Sequence, residues 1–388
     1  MDILMMTGPM DPHAGNNTNL TAQLMSCMTK LHSVCYLCAA STVHSGMRKT
    51  FAGAPVHWCA MNKSSSVRRQ FYSAWTKLTD RNGYSDVLTS MLLRDEAREL
   101  RKQFPCDALI STMEPFPAAD GAARLRGVKK ILYLMDPPAC ISGGKSTPYR
   151  DRRLKKILVA QDAILTTPFI RQALAEHGFG AFDNKIIPVG FPMIVQRDVQ
   201  RRRQDDGRIH LLFCGWLYSD IRSPEYFLNI LSRLDERFCV TFMGRECDML
   251  TKRFQIQTKA ELITMPQQPY EVALQAMADA DILINIGNSV PVHMPSKTLE
   301  YINTGKPVVN FYKMQDCPTL YYTNRYPLCL NLSEQDPDLD AAADRFMSFC
   351  LLNKGKTVDR AYIESEYADC TPEYIAGKIL EALEKNHG

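Results

Sequence analysis

The chain of 388 residues has no long hydrophobic run. Apolar stretches such as Ile209–Leu217 fall far short of the roughly 20 residues that span a bilayer, so no membrane-crossing helix is expected. The opening residues, MDILMMTGPMD, lack the basic start and extended apolar core of a secretion signal. Short-period repeats and low-complexity tracts are missing too, which argues against a solenoid or a disordered array. No G-x-G-x-x-G follows the first strand of either half, and this disfavours a Rossmann dehydrogenase. Cysteine is present 13 times, scattered and odd in number, so reduced thiols are expected rather than a disulfide framework. Cys35 and Cys38 fall in one apolar strand, where the period of two sends their sulfurs to opposite faces. A zinc or redox pair is not expected there.

What is present suits two domains. At this length one core is unlikely to suffice, and two domains on the order of 200 residues each are the natural division. Residues 1–200 carry 25 Lys+Arg against 16 Asp+Glu, whereas the remainder carries 21 against 26. The basic first half suits an anionic partner, either a phosphorylated acceptor or an anionic membrane surface; nucleic acid is not expected. Localisation on this reading is cytoplasmic, or peripheral at the inner membrane face.

Periodicity alternates strands with helices throughout, the pattern of a parallel, doubly wound sheet. Strands are expected at Asp2–Met6, Ser33–Ala40, Val56–Met61, Asp107–Thr112, Lys130–Met135 and Ala163–Thr167. Helices are expected at Asn19–Lys30, Arg68–Leu78, Ser85–Gln103, Pro117–Leu125, Tyr149–Val159 and Ile170–His177. The run QRDVQRRRQDDG (196–207) is almost devoid of apolar residues and reads as a linker. The domain boundaries that follow are 1–195, a linker at 196–207, a second domain at 208–370, and a C-terminal helix within 371–388 that packs back toward the first domain. Thr371 and Pro372 supply that helix with an N-cap and a first-turn proline.

The stretch from Asp281 to Phe311 carries the chemistry. Ile282–Ile286 reads as a buried strand, Pro295-Ser296-Lys297 as a helix start, and Val308–Phe311 as the returning strand of a βαβ unit. Ligands bind at the carboxyl end of the first strand in such units, and a helix N-terminus there favours phosphate. Lys297 adds a full positive charge. Glu300, one turn deeper, has the acceptor oxygens to take two ribose hydroxyls. Together they point to a nucleoside-diphosphate site.

Five segments in order then resemble the GT-B glycosyltransferases, closest to the retaining family-four type. They are ILMMTGPMDPHAGNN (3–17), AILTTPFIRQALAEHG (163–178), IIPVGFP (186–192), HLLFCGWLYSDIRSPEYFLNIL (210–231) and ADILINIGNSVPVHMPSKTLEYINTGKPVV (280–309). The resemblance implies an α/β fold of two Rossmann-like domains with parallel sheets facing across a cleft. It implies transfer of a sugar from a nucleotide-diphosphate sugar to an acceptor hydroxyl, retaining and metal-independent, in polysaccharide or glycolipid synthesis. The partners would be a nucleotide sugar and a glycan or lipid-linked acceptor, with no cofactor and with UDP and GDP donors equally open. By resemblance, Gly15, Gly215, Arg222, Ser296, Lys297 and Glu300 bind the nucleotide sugar, and Asp136, Arg222 and Lys297 act at the reacting centre. Glu114-Pro115 resembles an element on the same face as Asp136. Three positions depart from the family pattern: Val292 where a second glutamate is common, Trp216 where arginine is usual after Gly215, and Gly15 standing alone where two glycines are common. A non-catalytic GT-B subunit and a sugar-nucleotide epimerase of the same fold stay open as alternatives.

Overall fold

The computed structural model describes residues 1–8, 16–40, 49–60, 84–113, 116–142, 146–253 and 257–385, with the single positions 67, 70, 71, 74, 75 and 78. It divides into two compact units, Met1–Pro192 with Asp369–Gly388, and Met193–Ala368.

The first unit is built on β1 (Asp2–Thr7), β2 (Ser33–Ala40), β3 (Thr50–Phe51), β4 (Ala54–Ala60), β5 (Ala108–Thr112), β6 (Lys129–Leu134), β7 (Ala163–Thr166) and β8 (Ile186–Pro188). Their order across the sheet is β3-β4-β2-β1-β5-β6-β7-β8. Every pairing is parallel except β3 with β4. That hairpin turns at Ala52 and Gly53, both at positive φ (48° and 87°), as a two-residue turn of matching twist requires. Its helices are α1 (Asn16–Leu31), α2 (Tyr84–Gln103), α3 (Phe116–Ala123), α4 (Pro148–Val159) and α5 (Pro168–Leu174). Most of the expected helix at Arg68–Leu78 lies outside the described residues.

The second unit contains β9 (Ile209–Cys214), β10 (Phe238–Met243), β11 (Glu261–Met265), β12 (Ile282–Ile286), β13 (Val308–Tyr312) and β14 (Cys329–Ser333). All are parallel, in the order β11-β10-β9-β12-β13-β14. Around them lie α6 (Glu225–Leu231), α7 (Cys247–Arg253), α8 (Tyr270–Asp279), α9 (Lys297–Asn303), α10 (Pro318–Thr323), α11 (Leu339–Asn353) and α12 (Arg360–Glu366). Phe227 lies against Phe242, Phe311 and Phe346 in the core, with ring centroids 5.0–5.8 Å apart. Counted in chain order, β9 to β14 follow the Rossmann sequence 3-2-1-4-5-6, and β1, β2, β4, β5, β6 and β7 follow the same sequence in the first unit. Among the described residues, no helix is long and apolar enough to cross a membrane.

The stretch read as a linker is fastened to the second unit. Asn303 holds the backbone of Val195 from both sides, at 3.0 and 3.1 Å. Arg201 and Arg203 reach the two oxygens of buried Asp281 at 2.8 and 2.9 Å. The N–H groups of Arg202 and Arg203 donate to Asp279 at 2.6 and 3.0 Å. The boundary therefore falls after Pro192. A run of charges looks the same in sequence whether water or a set of matching carboxylates takes it up.

The last helix, α13 (Pro372–Glu384), belongs to the first unit, where it packs against α1. Thr371 caps it by accepting from the Tyr374 N–H at 3.2 Å, with Pro372 opening the first turn. Thr147-Pro148 and Thr167-Pro168 start α4 and α5 in the same way. The return is seated at Gly190. Its N–H donates to Asp369 O at 2.9 Å, and its carbonyl accepts from buried Tyr133 at 2.8 Å. A Cβ on Gly190 would overlap Cys370 Sγ. Gly190→Ala is therefore expected to lower stability by roughly 1–3 kcal/mol, as overpacking does. Chemical denaturation of the full chain measures this, and an unchanged midpoint would show that the seat tolerates a side chain.

Candidate functional site

In the second unit the winding reverses between β9 and β12, and in open α/β sheets that reversal opens a crevice at the carboxyl ends of the two strands. The strands here run straight into glycines. The Gly215 N–H donates to Met243 O at 2.9 Å, Gly244 to Met265 O at 3.0 Å, and Gly287 to Phe311 O at 2.7 Å. Gly244 sits at φ 143°, and a Cβ there would overlap the carbonyl of Gly215. The loops after β9 and β10 can lie this close only because that position has no side chain.

The helix α9 is locked to the end of β9. The Tyr301 hydroxyl donates to Cys214 O at 3.0 Å and accepts from Cys214 N at 2.8 Å. From the other side, Thr298 Oγ1 donates to Asn285 Oδ1 at 3.3 Å. Asn285 in turn donates to Asn310 Oδ1 at 2.7 Å, and Asn310 to Asn331 Oδ1 at 2.8 Å. These asparagines are direct register partners across β12, β13 and β14. The result is a polar ladder through the sheet that fixes strand register, because any slip would strand buried amides without partners.

Glu300 lies one turn into α9 and is only 1% exposed. Lys297 Nζ pairs with its Oε2. Its Oε1 accepts from the Tyr270 hydroxyl at 2.7 Å and from Arg197 at 3.2 Å. Burial works against the charge on Glu300 and on Lys297, yet each is held charged. Lys297 and Arg197 bring the Glu300 carboxyl below the usual glutamate range, and Glu300 lifts the Lys297 ammonium above the usual lysine range. Burial first, and Glu300 second, push the Tyr270 phenol up.

Arg222 is buried differently. Its Nε donates to Asn288 Oδ1 at 2.8 Å and its NH1 to Trp216 O at 3.1 Å, joining the loop after β9 to the loop after β12. Among the described residues no carboxylate pairs with it, and burial lowers its pKa to about 10. Asn288 is itself oriented by His293, donating to the His293 carbonyl at 2.9 Å and lying 2.6 Å from Nδ1. Val292, at the position of the missing glutamate, has φ 67°, a backbone conformation that β-branched residues rarely adopt. Trp216 stacks on Tyr218 with centroids 4.6 Å apart, and the Arg245 guanidinium lies 4.8 Å from its ring centre.

Of the residues singled out in the sequence, Gly215, Arg222, Ser296, Lys297 and Glu300 all belong to this unit, around the β9–β12 reversal. Ser296 occupies the N-cap position of α9, but its side chain makes no capping bond. Lys297 is turned onto Glu300, and Glu300 is occupied by Lys297, Arg197 and Tyr270. Gly15 and Glu114-Pro115 lie outside the described residues. Asp136 belongs to the first unit, where it lines a cavity of about 260 Å³ with Met113, Phe116, Cys140, Arg150 and Leu154. On α4, Arg153 does not face solvent. It is buried, 2.7 Å from Asp120 and 4.9 Å from the centre of the Phe116 ring. The sequence reading passed over Arg197, Tyr270 and Asn288. Tyr270 opens α8, and its hydroxyl goes to Glu300.

No protein-family model and no curated protein sequence matches the chain. Solved structures do. The lipopolysaccharide outer core galactosyltransferase WaaB is 12% identical, with 99% of each chain covered and a TM-score of 0.59. HepE of Anabaena in complex with UDP is 10% identical, with 99% of this chain and 100% of that one covered and a TM-score of 0.62. The trehalose-6-phosphate synthase OtsA is 11% identical, with 99% of each covered and a TM-score of 0.65. The chain has the GT-B fold. At these identities the GT-B likeness speaks for the fold, and the chemistry has to come from the residues above.

Glu300 gives the site a pH signature. Its folded pKa is depressed, so its stabilisation is present above the ordinary glutamate value of 4.5 and is lost as pH falls through the lower folded value. Glu300→Gln leaves Lys297 and Arg197 buried without their carboxylate and is expected to cost about 3 kcal/mol at neutral pH. The gap between wild type and variant should close in acid. A gap that stays constant as pH falls from neutral until the wild type itself unfolds would show that the carboxylate carries no charge here.

Proposed function

We propose that this protein is a glycosyltransferase that moves a sugar from a nucleoside-diphosphate sugar to an acceptor hydroxyl, with the donor held by the second unit. The observation that carries this reading is Arg222, a buried guanidinium at the strand reversal with amide and carbonyl partners and no carboxylate among the described residues. A buried cation without a counter-charge is unfavourable for the fold, and a bound diphosphate supplies the missing charge. The structures of HepE with UDP and with UDP-glucose support the same ligand class on the same fold.

The chemistry follows from charge. As the sugar–phosphate bond breaks, negative charge builds on the departing nucleoside diphosphate, and cations already in place stabilise it. Arg222 supplies one such charge. Lys297 supplies a second once ribose hydroxyls donate to Glu300 in place of the lysine and free its ammonium for phosphate. Arg197 remains beside Glu300 and preserves the balance. With Arg222 and the freed Lys297 in the place a divalent metal would take, the reaction is metal-independent, so turnover should survive chelator. The acceptor is a glycan or lipid-linked hydroxyl, with Asp136 and its cavity in the first unit as the contact. Retention of anomeric configuration is the outcome the resemblance to the family-four enzymes suggests, and the anomer of the first-formed product tests it.

Nucleoside diphosphates and their sugars, screened by thermal shift, are expected to raise the melting temperature through mass action, with at least one base preferred. Arg222→Met should reduce that ligand's affinity by roughly 10–100-fold, the range of a lost charged hydrogen bond, while leaving the unliganded protein folded. A flat response to every nucleotide would sink the donor-site reading. Conversion of a sugar nucleotide with no acceptor present would identify an epimerase instead.

A further inference from the structure

The described residues bury two arginines. Arg153 has a carboxylate, Asp120, at 2.7 Å, whereas Arg222 has only neutral oxygens. The second arrangement is built with some care. The backbone of Arg222 exchanges two hydrogen bonds with Tyr218, each 3.2 Å long. Its NH1 is fixed on Trp216 O and its Nε on Asn288 Oδ1, and among the described residues its third nitrogen, NH2, has no partner. Ser289 ties the Asn288 loop to the same turn, donating from its N–H to Ile221 O at 2.8 Å and from its hydroxyl to Asp220 O at 3.2 Å.

Chemistry at both ends of the Asn288 amide fixes which way it points. Arginine Nε can only donate, so the Asn288 atom facing it is the oxygen. The His293 carbonyl can only accept, so the atom 2.9 Å from it is the amide nitrogen. That nitrogen also lies 2.6 Å from His293 Nδ1, and an amide NH2 cannot accept. Nδ1 is therefore the acceptor, and the ring carries its proton on Nε2. Hydrogen bonds run in one direction, from Arg222 through Asn288 to His293. With the amide turned over, its NH2 would face a guanidinium and its oxygen a carbonyl. We infer that Asn288 is a positioning residue for the donor: it aims the Arg222 guanidinium without neutralising it, and His293 fixes its orientation. An aspartate of the same shape would give Arg222 a counter-charge from within, and a diphosphate would then have to compete with it. The inference rests on the reading of this crevice as a diphosphate site.

The test measures binding to the full chain by calorimetry, with UDP, GDP, ADP and inorganic pyrophosphate as probes. Asn288→Asp keeps the side-chain shape and is expected to weaken the tightest of these ligands by roughly 10–100-fold, with the unliganded protein still folded. The pair His293→Asn and His293→Leu separates orientation from packing. Asparagine returns an acceptor oxygen close to the place of Nδ1 and should bind within about threefold of wild type. Leucine leaves the amide free to turn and should bind on the order of tenfold more weakly. A merely structural role would lower the melting temperature of both variants without splitting their affinities. Two results would overturn the inference and leave the donor site standing: wild-type affinity in Asn288→Asp, or equal affinity in the two His293 variants. If Asn288→Asp does not fold, the His293 pair decides alone. A wild type that binds none of the four probes overturns the inference together with the donor-site reading.

Discussion

A carboxylate almost wholly out of water governs the second unit. Glu300 can stay ionised there only if donors arrive from several directions, because burial alone would drive it neutral. They come from three separate segments: Lys297 on α9 itself, Tyr270 at the start of α8, and Arg197 on the extended stretch before β9. None of the three elements can move far without leaving a buried charge uncompensated. The demand explains why the stretch from Met193 onward travels with this unit, and why α9 is pinned at both Cys214 and Asn285.

Viewed as charge alone, the neighbourhood is unbalanced. Lys297 and Arg197 share one carboxylate, and Arg222 has carbonyl and amide oxygens as its partners. Among the described residues this sets three cations against one carboxylate at the strand reversal, and the two negative charges of the nucleoside-diphosphate sugar proposed as donor would balance them. The site is therefore stable as found and electrostatically incomplete. Proteins tolerate such imbalance where a ligand corrects it.

Much of this is legible in the amino-acid sequence. Parallel sheets covered on both faces leave continuous apolar runs, and the runs at 209–214, 282–286 and 308–312 mark β9, β12 and β13 directly. Lys297 and Glu300 stood out because one short segment carries the strand, the loop and the helix start. The partners of Glu300 and Arg222 did not. Arg197 is 103 residues from Glu300, and Asn288 is 66 from Arg222, so no local pattern joins them. Arginines 197, 201 and 203 look like solvated linker charges until Glu300, Asp279 and Asp281 are placed beside them. The same holds for Arg153, whose carboxylate, Asp120, lies on another helix. The Ala52-Gly53 turn escaped notice because alanine is an unusual choice at positive φ.

The seat at Gly190 and Cys370 bears on how the chain is made. The first unit takes residues from both ends of the sequence, with the second unit inserted between them. On the ribosome, residues 369–388 emerge only after every strand of the second unit. The first unit must therefore wait, with the face of α1 that receives α13 uncovered, while its neighbour can already fold from contiguous chain. That order makes the first unit the slower to finish and the more exposed to mispairing. It also ties completion of the first sheet's surroundings to the arrival of the final helix.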